Sequence, residues 1–283
     1  MVVERFAPSP TGFLHLGHGF SALTAYDAAM EQDGRFLLRI EDIDTARSKP
    51  EYEEAIYEDL HWLGISWEEP VLRQSERMDH YNAALDRLVD MGLCYPCSCT
   101  RRDIAEALSA PQEGSEQQFG PDGAIYPRTC CTRSMAQKSD TDAVRLDMRK
   151  AVAAFGDPSG TGYIELGENA GWKPLSSDYL VKRCGDIVLA RRDIGTSYHL
   201  AVVVDDAAQN VTHVTRGADM APATPIHVML QNLLSLPTPD YRHHRLIRDN
   251  TGKRLAKRHD ALALRTLRGS GWTPDDVREA VKP

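Results

Sequence analysis

The sequence lacks long apolar runs and any excess of positive charge. No stretch approaches the roughly 18 consecutive apolar residues of a membrane-spanning helix, and no charged segment followed by an apolar one opens the chain. The formal net charge of −8 argues against indiscriminate binding to nucleic acid. From these absences we expect a soluble, cytoplasmic protein without a membrane partner.

Cysteine is scarce, at six of 283 residues, and its distribution is uneven. Cys184 stands apart, and the other five are clustered, at Cys94, Cys97, Cys99, Cys130 and Cys131. In a cytoplasmic chain such a cluster favours a metal site or free thiols over disulfides. Spacing alone leaves structural zinc and free thiols both open, and it permits several ligand sets.

Charge is also distributed unevenly. Residues 40–70 carry ten acidic residues against two basic ones, whereas residues 241–268 carry nine Lys or Arg against two Asp. A basic segment on an acidic body is typical of a protein that binds a polyanion at one place. A solvated basic helix face is the alternative interpretation.

Hydrophobic periodicity predicts an α/β fold. Residues 2–6 and 35–40 have the pattern of strands, and helical patterns follow each of them. The order β-α-β-α-α is typical of a doubly wound parallel sheet of the Rossmann type. Ser48 and Glu51 have the spacing of a helix capping box.

The periodic pattern changes at residue 94 and resumes near residue 185. The predicted organisation is a nucleotide-binding domain in two halves around an inserted α+β subdomain that carries the clustered cysteines, followed by a short basic tail; the ranges are 1–93, 94–184, 185–240 and 241–283. Residues 109–123 are rich in Gln, Gly, Pro and Ser, and we expect a mobile loop there.

The turn after the first strand carries the most suggestive chemistry. It combines a strand end, a Pro/Gly turn and a helix start, where free backbone N–H groups and the helix dipole attract an anion. His15 and His18 fall on one face of that helix start, so both imidazoles can donate toward one ligand. Gly17 and Gly19 leave room for a flat ring or a phosphate. An ordinary capped helix after a Pro-rich turn is the alternative.

Taken together, the two ends of the chain resemble the catalytic half of class I aminoacyl-tRNA synthetases of the glutamyl type. His15-Leu-Gly-His18 resembles the HIGH motif of that family, and Arg254-Leu-Ala-Lys-Arg258 resembles its KMSKS loop. Three further segments match the glutamyl branch in content and order, at residues 39–45, 198–206 and 215–217. Five motifs in one order over nearly the whole chain make the resemblance specific.

The resemblance implies an ATP-dependent activation of glutamate with Mg²⁺ bound to the ATP rather than in a protein cage. The implied ATP-binding residues are His15, Gly17, His18 and Lys257, of which His15, His18 and Lys257 are catalytic. The implied glutamate-binding residues are Arg5, Ala7, Ser9, Glu41, Tyr198 and Arg216. Their chemistry suits the ligand, because guanidinium groups bind carboxylates and a carboxylate binds an ammonium group.

Two features depart from ordinary glutamyl-tRNA synthetases. Val202 stands where Asn is usual, which predicts weaker glutamate affinity or an altered acceptor geometry. Only sixteen residues follow Leu267, where ordinary members continue into an anticodon-binding domain. The chain therefore resembles the truncated branch of the family, which activates glutamate without tRNA and transfers it to queuosine at the wobble position of tRNA(Asp). A shortened synthetase that charges the tRNA 3′ end and a noncatalytic zinc- and RNA-binding module are the alternatives.

The truncated branch also carries a zinc site of the form Cys-x-Cys…Tyr-x-x-x-Cys. This pattern implies one structural zinc ion on Cys97, Cys99, Tyr126 and Cys130, with Cys94 or Cys131 as possible replacements for one of these ligands. The expected partners are glutamate, ATP and tRNA(Asp) carrying queuosine, and we expect the chain to act as a monomer.

Replacing Lys257 tests the KMSKS-like interpretation. If its ammonium group contacts the transition state, Lys257→Ala slows adenylate formation by roughly 10²–10³, the scale of losing one oxyanion donor. Pre-steady-state measurement of adenylate formation checks this, and a change below about threefold contradicts the assignment.

Overall fold

The computed structural model describes residues 1–109, 119–156, 160–247 and 263–282. Its strands are β1 (Val3–Phe6), β2 (Arg35–Ile40), β3 (Glu68–Arg73), β4 (Cys94–Cys97), β5 (Phe119–Gly120), β6 (Gly123–Ala124), β7 (Ala143–Leu146), β8 (Gly162–Glu165), β9 (Gly171–Pro174), β10 (Val188–Ala190), β11 (His213–Gly217) and β12 (Asp240–His244).

Helices connect most of these strands. They are α1 (Leu16–Met30), α2 (Pro50–Trp62), α3 (Met78–Asp90), α4 (Arg101–Ser109), α5 (Met148–Phe155), α6 (Ser177–Tyr179), α7 (Tyr198–Ala208), α8 (Thr224–Leu233), α9 (Leu264–Gly269) and α10 (Pro274–Ala280). Short 3₁₀ turns span Gln74–Glu76, Met135–Gln137 and Ala218–Ala223, and a π-helical turn follows α6 at Leu180–Cys184.

A parallel sheet forms the centre of the molecule. Strands β1, β2 and β3 are parallel neighbours, and β11 and β12 form a second parallel pair that continues into β8 and β9. The backbone N–H of Thr212 donates to the Val3 carbonyl at 3.0 Å, which places β1 beside β11. The winding direction thus reverses between β1 and β11, and the predicted doubly wound parallel architecture is confirmed.

The sheet separates two apolar cores. Leu37 packs into one of them with α3, α7 and α8, whereas its neighbours Phe36 and Leu38 pack into the other with α1 and α2. This alternation along β2 is what a strand covered on both faces requires. Within the described ranges, no helix is long and apolar enough to cross a membrane.

The predicted insert is divided between two sheets. Strands β4 and β7 form a small antiparallel sheet that β10 completes, although β10 lies beyond residue 184. Inside the predicted insert, β8 instead pairs in parallel with β12, and β9 adds to β8 as an antiparallel edge strand. These pairings join residues distant in sequence, so local periodicity did not reveal them, and the four predicted domain ranges stay a prediction.

Two local expectations need correction. Helix α2 begins at Pro50 with Lys49 at its N-cap and no side-chain cap, so the capping box at Ser48 is wrong. Proline suits the first helical position, because its missing N–H would have no partner there. In the predicted loop at 109–123, residues 119–124 form a β-hairpin, and residues 110–118 lie outside the described part of the chain.

Residues 263–282, within the predicted basic tail, form two packed helices. Leu264, Leu267 and Val277 of α9 and α10 are buried in the core formed by α1 and α2. Arg268 pairs with Glu58 of α2 at 3.0 Å. Part of the C-terminal positive charge is therefore balanced by the acidic N-terminal half.

Asp59 of α2 is completely buried, and neither carboxylate oxygen has a hydrogen-bond partner within the described chain. Its nearest cation is Arg268, 3.6 Å away. Burial raises the pKa of Asp59 to about 6, although Arg268 opposes the shift. Since the unfolded chain ionises this group at lower pH, the free energy of unfolding falls as pH rises from about 4 to about 6.

Asp59→Asn removes the free-energy cost of burying a charged carboxylate at this position. The variant is expected to raise the free energy of unfolding by about 1–2 kcal/mol at about pH 7.5, with the difference vanishing below about pH 4. Urea denaturation at both pH values measures it, with Asp86→Asn on the exposed face of α3 as the matched control. Equal or lower stability of Asp59→Asn at about pH 7.5 contradicts the buried-charge interpretation.

Candidate active site

Two histidines cap helix α1. The Nδ1 atom of His15 accepts from the Gly17 N–H at 3.1 Å, and the Nδ1 atom of His18 accepts from the His15 N–H at 3.1 Å. The two rings stack with centroids 3.8 Å apart. Because each Nδ1 is an acceptor, a neutral ring carries its proton on Nε2. The turn thus presents two imidazole donors at a helix N-terminus.

The glycines of this turn serve the protein's own packing. A Cβ at Gly17 would lie 3.0 Å from Cε1 of His15, so glycine lets that ring lie close to the backbone. A Cβ at Gly19 would lie 3.3 Å from Cδ2 of Leu264. Helix α9 therefore fills the space that was expected for a ligand at Gly19. This contact joins two segments that are far apart in the sequence.

All six predicted glutamate-binding residues line one cavity of about 250 Å³ at the ends of β1 and β11. It also contacts His18, but His15 and Gly17 lie outside its lining. Ligands of doubly wound sheets bind at such a reversal in strand order. A second cavity, of about 310 Å³, shares Ser9, Glu41 and Tyr198 with the first and continues past Asp44, Arg47 and Arg191.

A buried charge network forms one wall of the smaller cavity. Asp206 accepts from Arg5 Nε at 3.1 Å and from Arg39 Nη1 at 2.6 Å, and Arg39 Nη2 also reaches Glu41 at 3.2 Å. Burial would raise the pKa of Asp206, but the positive charges of Arg5 and Arg39 hold it below its usual value. Burial raises the pKa of Glu41. The network fixes Arg5 and Glu41 at the cavity.

Arg216, on the other side, has neutral partners. Its guanidinium donates to Thr224 Oγ1 at 2.8 Å and to the rings of His227 at 3.1 Å and His243 at 3.3 Å. Among the described residues, no carboxylate lies within ion-pair distance of it. A charged group with neutral neighbours suits a site for a ligand carboxylate.

The network residues Asp206 and Arg39 were not singled out from the sequence, although both lie in the quoted motifs. A charged residue inside an apolar run was the available signal, since a buried charge requires a partner. Arg39 interrupts the apolar β2, and Asp206 follows the Val-rich part of α7.

The predicted zinc ligands also come together. The sulfurs of Cys97, Cys99 and Cys130 lie within 4.8 Å of one another, and the Tyr126 hydroxyl is 3.3 Å from the Cys97 sulfur. Tetrahedral zinc with Zn–S bonds of about 2.3 Å places sulfurs about 3.8 Å apart, so the group fits this metal. Neither Cys94 nor Cys131 belongs to this group.

The thiols differ in their ionisation. Burial opposes ionisation of Cys130, but hydrogen bonds from Tyr126 and Ser98 lower the pKa of this thiol to about 6. Burial in the main apolar core raises the pKa of Cys94 to about 12. Cys94 lies in the main apolar core and outside the group of clustered sulfurs, so it is poorly suited to replace Cys130.

Lys257 lies outside the described residues, but both flanks of its segment are described. The Leu264 N–H donates to the Leu14 carbonyl at 2.8 Å, and Cβ of Ile247 is 4.0 Å from a Cβ built at Gly17. The segment therefore leaves and rejoins the described fold beside the histidine turn.

Comparison with known proteins identifies the class. Residues 1–282 match the family described as tRNA synthetases class I (E and Q), catalytic domain, and the chain belongs to this family. A glutamate-tRNA synthetase from Elizabethkingia anophelis superposes with a TM-score of 0.71 at 26% identity over 91% of this chain. This chain covers 52% of that structure, about half its length.

Closer relatives belong to one branch of the family. The chain is 53% identical, over 99% of both sequences, to the glutamyl-Q tRNA(Asp) synthetase of Rhodobacter capsulatus. It is 40% identical to the protein of the same name from Nitratidesulfovibrio vulgaris, over 96% of this chain and 82% of that one. The glutamate–tRNA ligase of Aquifex aeolicus is 36% identical, and the chain covers 55% of its length. The two glutamyl-Q tRNA(Asp) synthetases confirm the branch that the sequence motifs indicated.

Proposed function

We propose that this protein activates glutamate with ATP in the absence of tRNA and transfers it to queuosine at the wobble position of tRNA(Asp). The main structural support is the cavity at the ends of β1 and β11, where two guanidinium groups and one carboxylate lie beside His18. The acceptor follows from the names of the relatives that match over nearly their full length.

In this proposal Arg5 and Arg216 bind the two carboxylates of glutamate. Glu41 binds the α-ammonium group, the Tyr198 hydroxyl donates a hydrogen bond, and the Ala7 and Ser9 positions shape the cavity. The charge network explains why the carboxylate of Glu41 does not block Arg5. Asp206 pairs with Arg5, and Arg39 draws Glu41 toward itself.

Activation joins a glutamate carboxylate to the α-phosphorus of ATP and releases pyrophosphate. Negative charge develops on the phosphate oxygens, so donors positioned in advance accelerate the step. We assign this role to His15 and His18, whose Nδ1 contacts place the donor protons on Nε2. Gly17 lets the His15 ring lie close to the helix start, and Lys257 supplies a positive charge; Mg²⁺ enters with ATP.

One structural zinc ion completes the proposal. Cys97, Cys99 and Cys130 would supply three thiolates, and Tyr126 a phenolate oxygen. Arg192 donates to the Cys99 carbonyl at 2.7 Å, which links the cysteine loop to the chain just before α7. Zinc there would stabilise the insert, whose small antiparallel sheet has little core of its own.

A transfer assay tests the function. With ATP and labelled glutamate the protein is expected to form adenylate without tRNA, and to label tRNA(Asp) only when the tRNA carries queuosine. Cleavage of the anticodon loop should then release the label with the anticodon fragment. tRNA(Asp) without queuosine is the matched control.

The alternatives give different results. Label at the 3′ end supports a shortened glutamyl-tRNA synthetase. Absence of adenylate supports a noncatalytic binding module and contradicts the proposal.

Metal analysis tests the zinc site. Protein purified without chelator is expected to contain about one equivalent of zinc, and Cys130→Ser to lose most of it, since thiolate ligands hold structural zinc. Cys184→Ser, at an isolated buried thiol, is the control and should retain the metal. Less than about a tenth of an equivalent in the unmodified protein contradicts the site.

A further inference from the structure

A chain of hydrogen bonds connects Arg216 to the insert. The Nη1 atom of Arg216 lies 3.1 Å from Nδ1 of His227, and Nε2 of His227 lies 2.9 Å from Nδ1 of His199. Nε2 of His199 lies 2.9 Å from a carboxylate oxygen of Asp122. The chain thus runs from β11 through α8 and α7 to the β5–β6 hairpin.

Only one pattern of protons satisfies every contact. Arg216 always donates, so His227 accepts on Nδ1 and carries its proton on Nε2. His199 must then accept on Nδ1 and donate from Nε2 to Asp122. Burial and the charge of Arg216 hold the pKa of His227 well below its usual value, in agreement with a neutral ring. Both histidines are therefore Nε2-protonated.

A second, shorter chain supports Arg216 from the sheet. Arg216 Nε donates to Nε2 of His243. The Nδ1 atom of His243 lies 2.5 Å from Glu165 Oε2. Two imidazoles separate the guanidinium from a carboxylate in the first chain, and one does so in the second. Arg5 differs, because Asp206 contacts it directly. Neutral rings orient Arg216 without competing with a ligand for its positive charge.

The hairpin that carries Asp122 is held against the rest of the fold. A Cβ at Gly120 would lie 2.1 Å from the Arg183 carbonyl oxygen, so the two backbones are in close contact. Asp122 occupies the turn between β5 and β6, and its side chain remains half-exposed. The position of the hairpin therefore decides whether the carboxylate reaches His199.

We propose that Asp122, His199 and His227 are positioning residues that orient Arg216 toward a carboxylate of the substrate, and that they couple the insert to the glutamate cavity. The role of Arg216 rests on the proposed function. The relay, meaning the hydrogen-bond chain from Asp122 through His199 and His227 to Arg216, rests on the contacts above.

ATP–pyrophosphate exchange with the full chain tests the relay. His227→Leu is expected to raise the KM for glutamate by roughly tenfold, with kcat and the KM for ATP within about threefold, since one buried hydrogen bond to a charged group is lost. His227→Gln keeps an acceptor for Arg216 and a donor for His199, and should stay within about threefold of the unmodified protein. Asp122→Ala should raise the KM for glutamate several-fold, and Asp122→Asn much less.

Asp178→Ala is the matched control, since this exposed residue of the insert pairs with Lys182. An unchanged KM for glutamate in His227→Leu overturns the relay. Equal impairment in His227→Gln and His227→Leu also overturns it, because that result indicates a packing role.

A second measurement does not depend on activity. Imidazole ¹⁵N NMR of the unmodified protein should show Nε2-protonated, neutral rings for His199 and His227, assigned with the His199→Gln and His227→Gln variants. Asp122→Ala should shift the His199 signals. An imidazolium or an Nδ1-protonated ring at His227 overturns the relay. If the unmodified protein shows no exchange with glutamate, the proposed function fails and the NMR pattern alone decides the relay.

Discussion

The ion pair between Asp206 and the two arginines is the interaction on which the site depends. It joins α7 to β1 and β2, the strands on one side of the point where the winding of the sheet reverses. Arg39 is completely buried and Asp206 nearly so. Burying three charges is costly unless each has a well-placed partner. The arrangement is therefore weak evidence for stability, and its clearest consequence is the fixed position of Arg5 and Glu41 beside the cavity.

The two guanidinium groups of the cavity are held in different ways. Arg5 is partly neutralised by Asp206, whereas Arg216 is surrounded by Thr224 and two imidazoles. An amino dicarboxylate carries two negative charges on its carboxylates and one positive charge on its ammonium group. One screened and one unscreened arginine, with Glu41 lining the same cavity, match that charge pattern.

Distant parts of the chain contact the turn that carries His15 and His18. Helix α9 packs against Gly19, and the stretch that contains Lys257 begins and ends beside the His15 turn. The insert contacts α7 through Asp122 of its hairpin, and its Cys99 carbonyl accepts from Arg192. The C-terminal helices and the insert therefore both contact the parallel-sheet part of the fold, and hydrogen bonds connect the insert to the cavity at the ends of β1 and β11.

Local sequence determined the early elements and the identity of the chemical groups. Strand β1, helix α1 and strand β2 follow from periodicity and turn residues, and the family resemblance singled out Cys97, Cys99 and Cys130, whose sulfurs lie close together. These features depend on neighbours within a few positions, or on motifs with fixed spacing.

Tertiary structure decided the partners. The pairing of β10 with β7, the addition of β8 to the parallel sheet and the packing of α9 on Gly19 each join residues far apart in the chain. The same holds for Asp206 with Arg39 and for His227 with His199. Such contacts form because buried charges and apolar faces require partners, and sequence shows that need without showing which residue meets it.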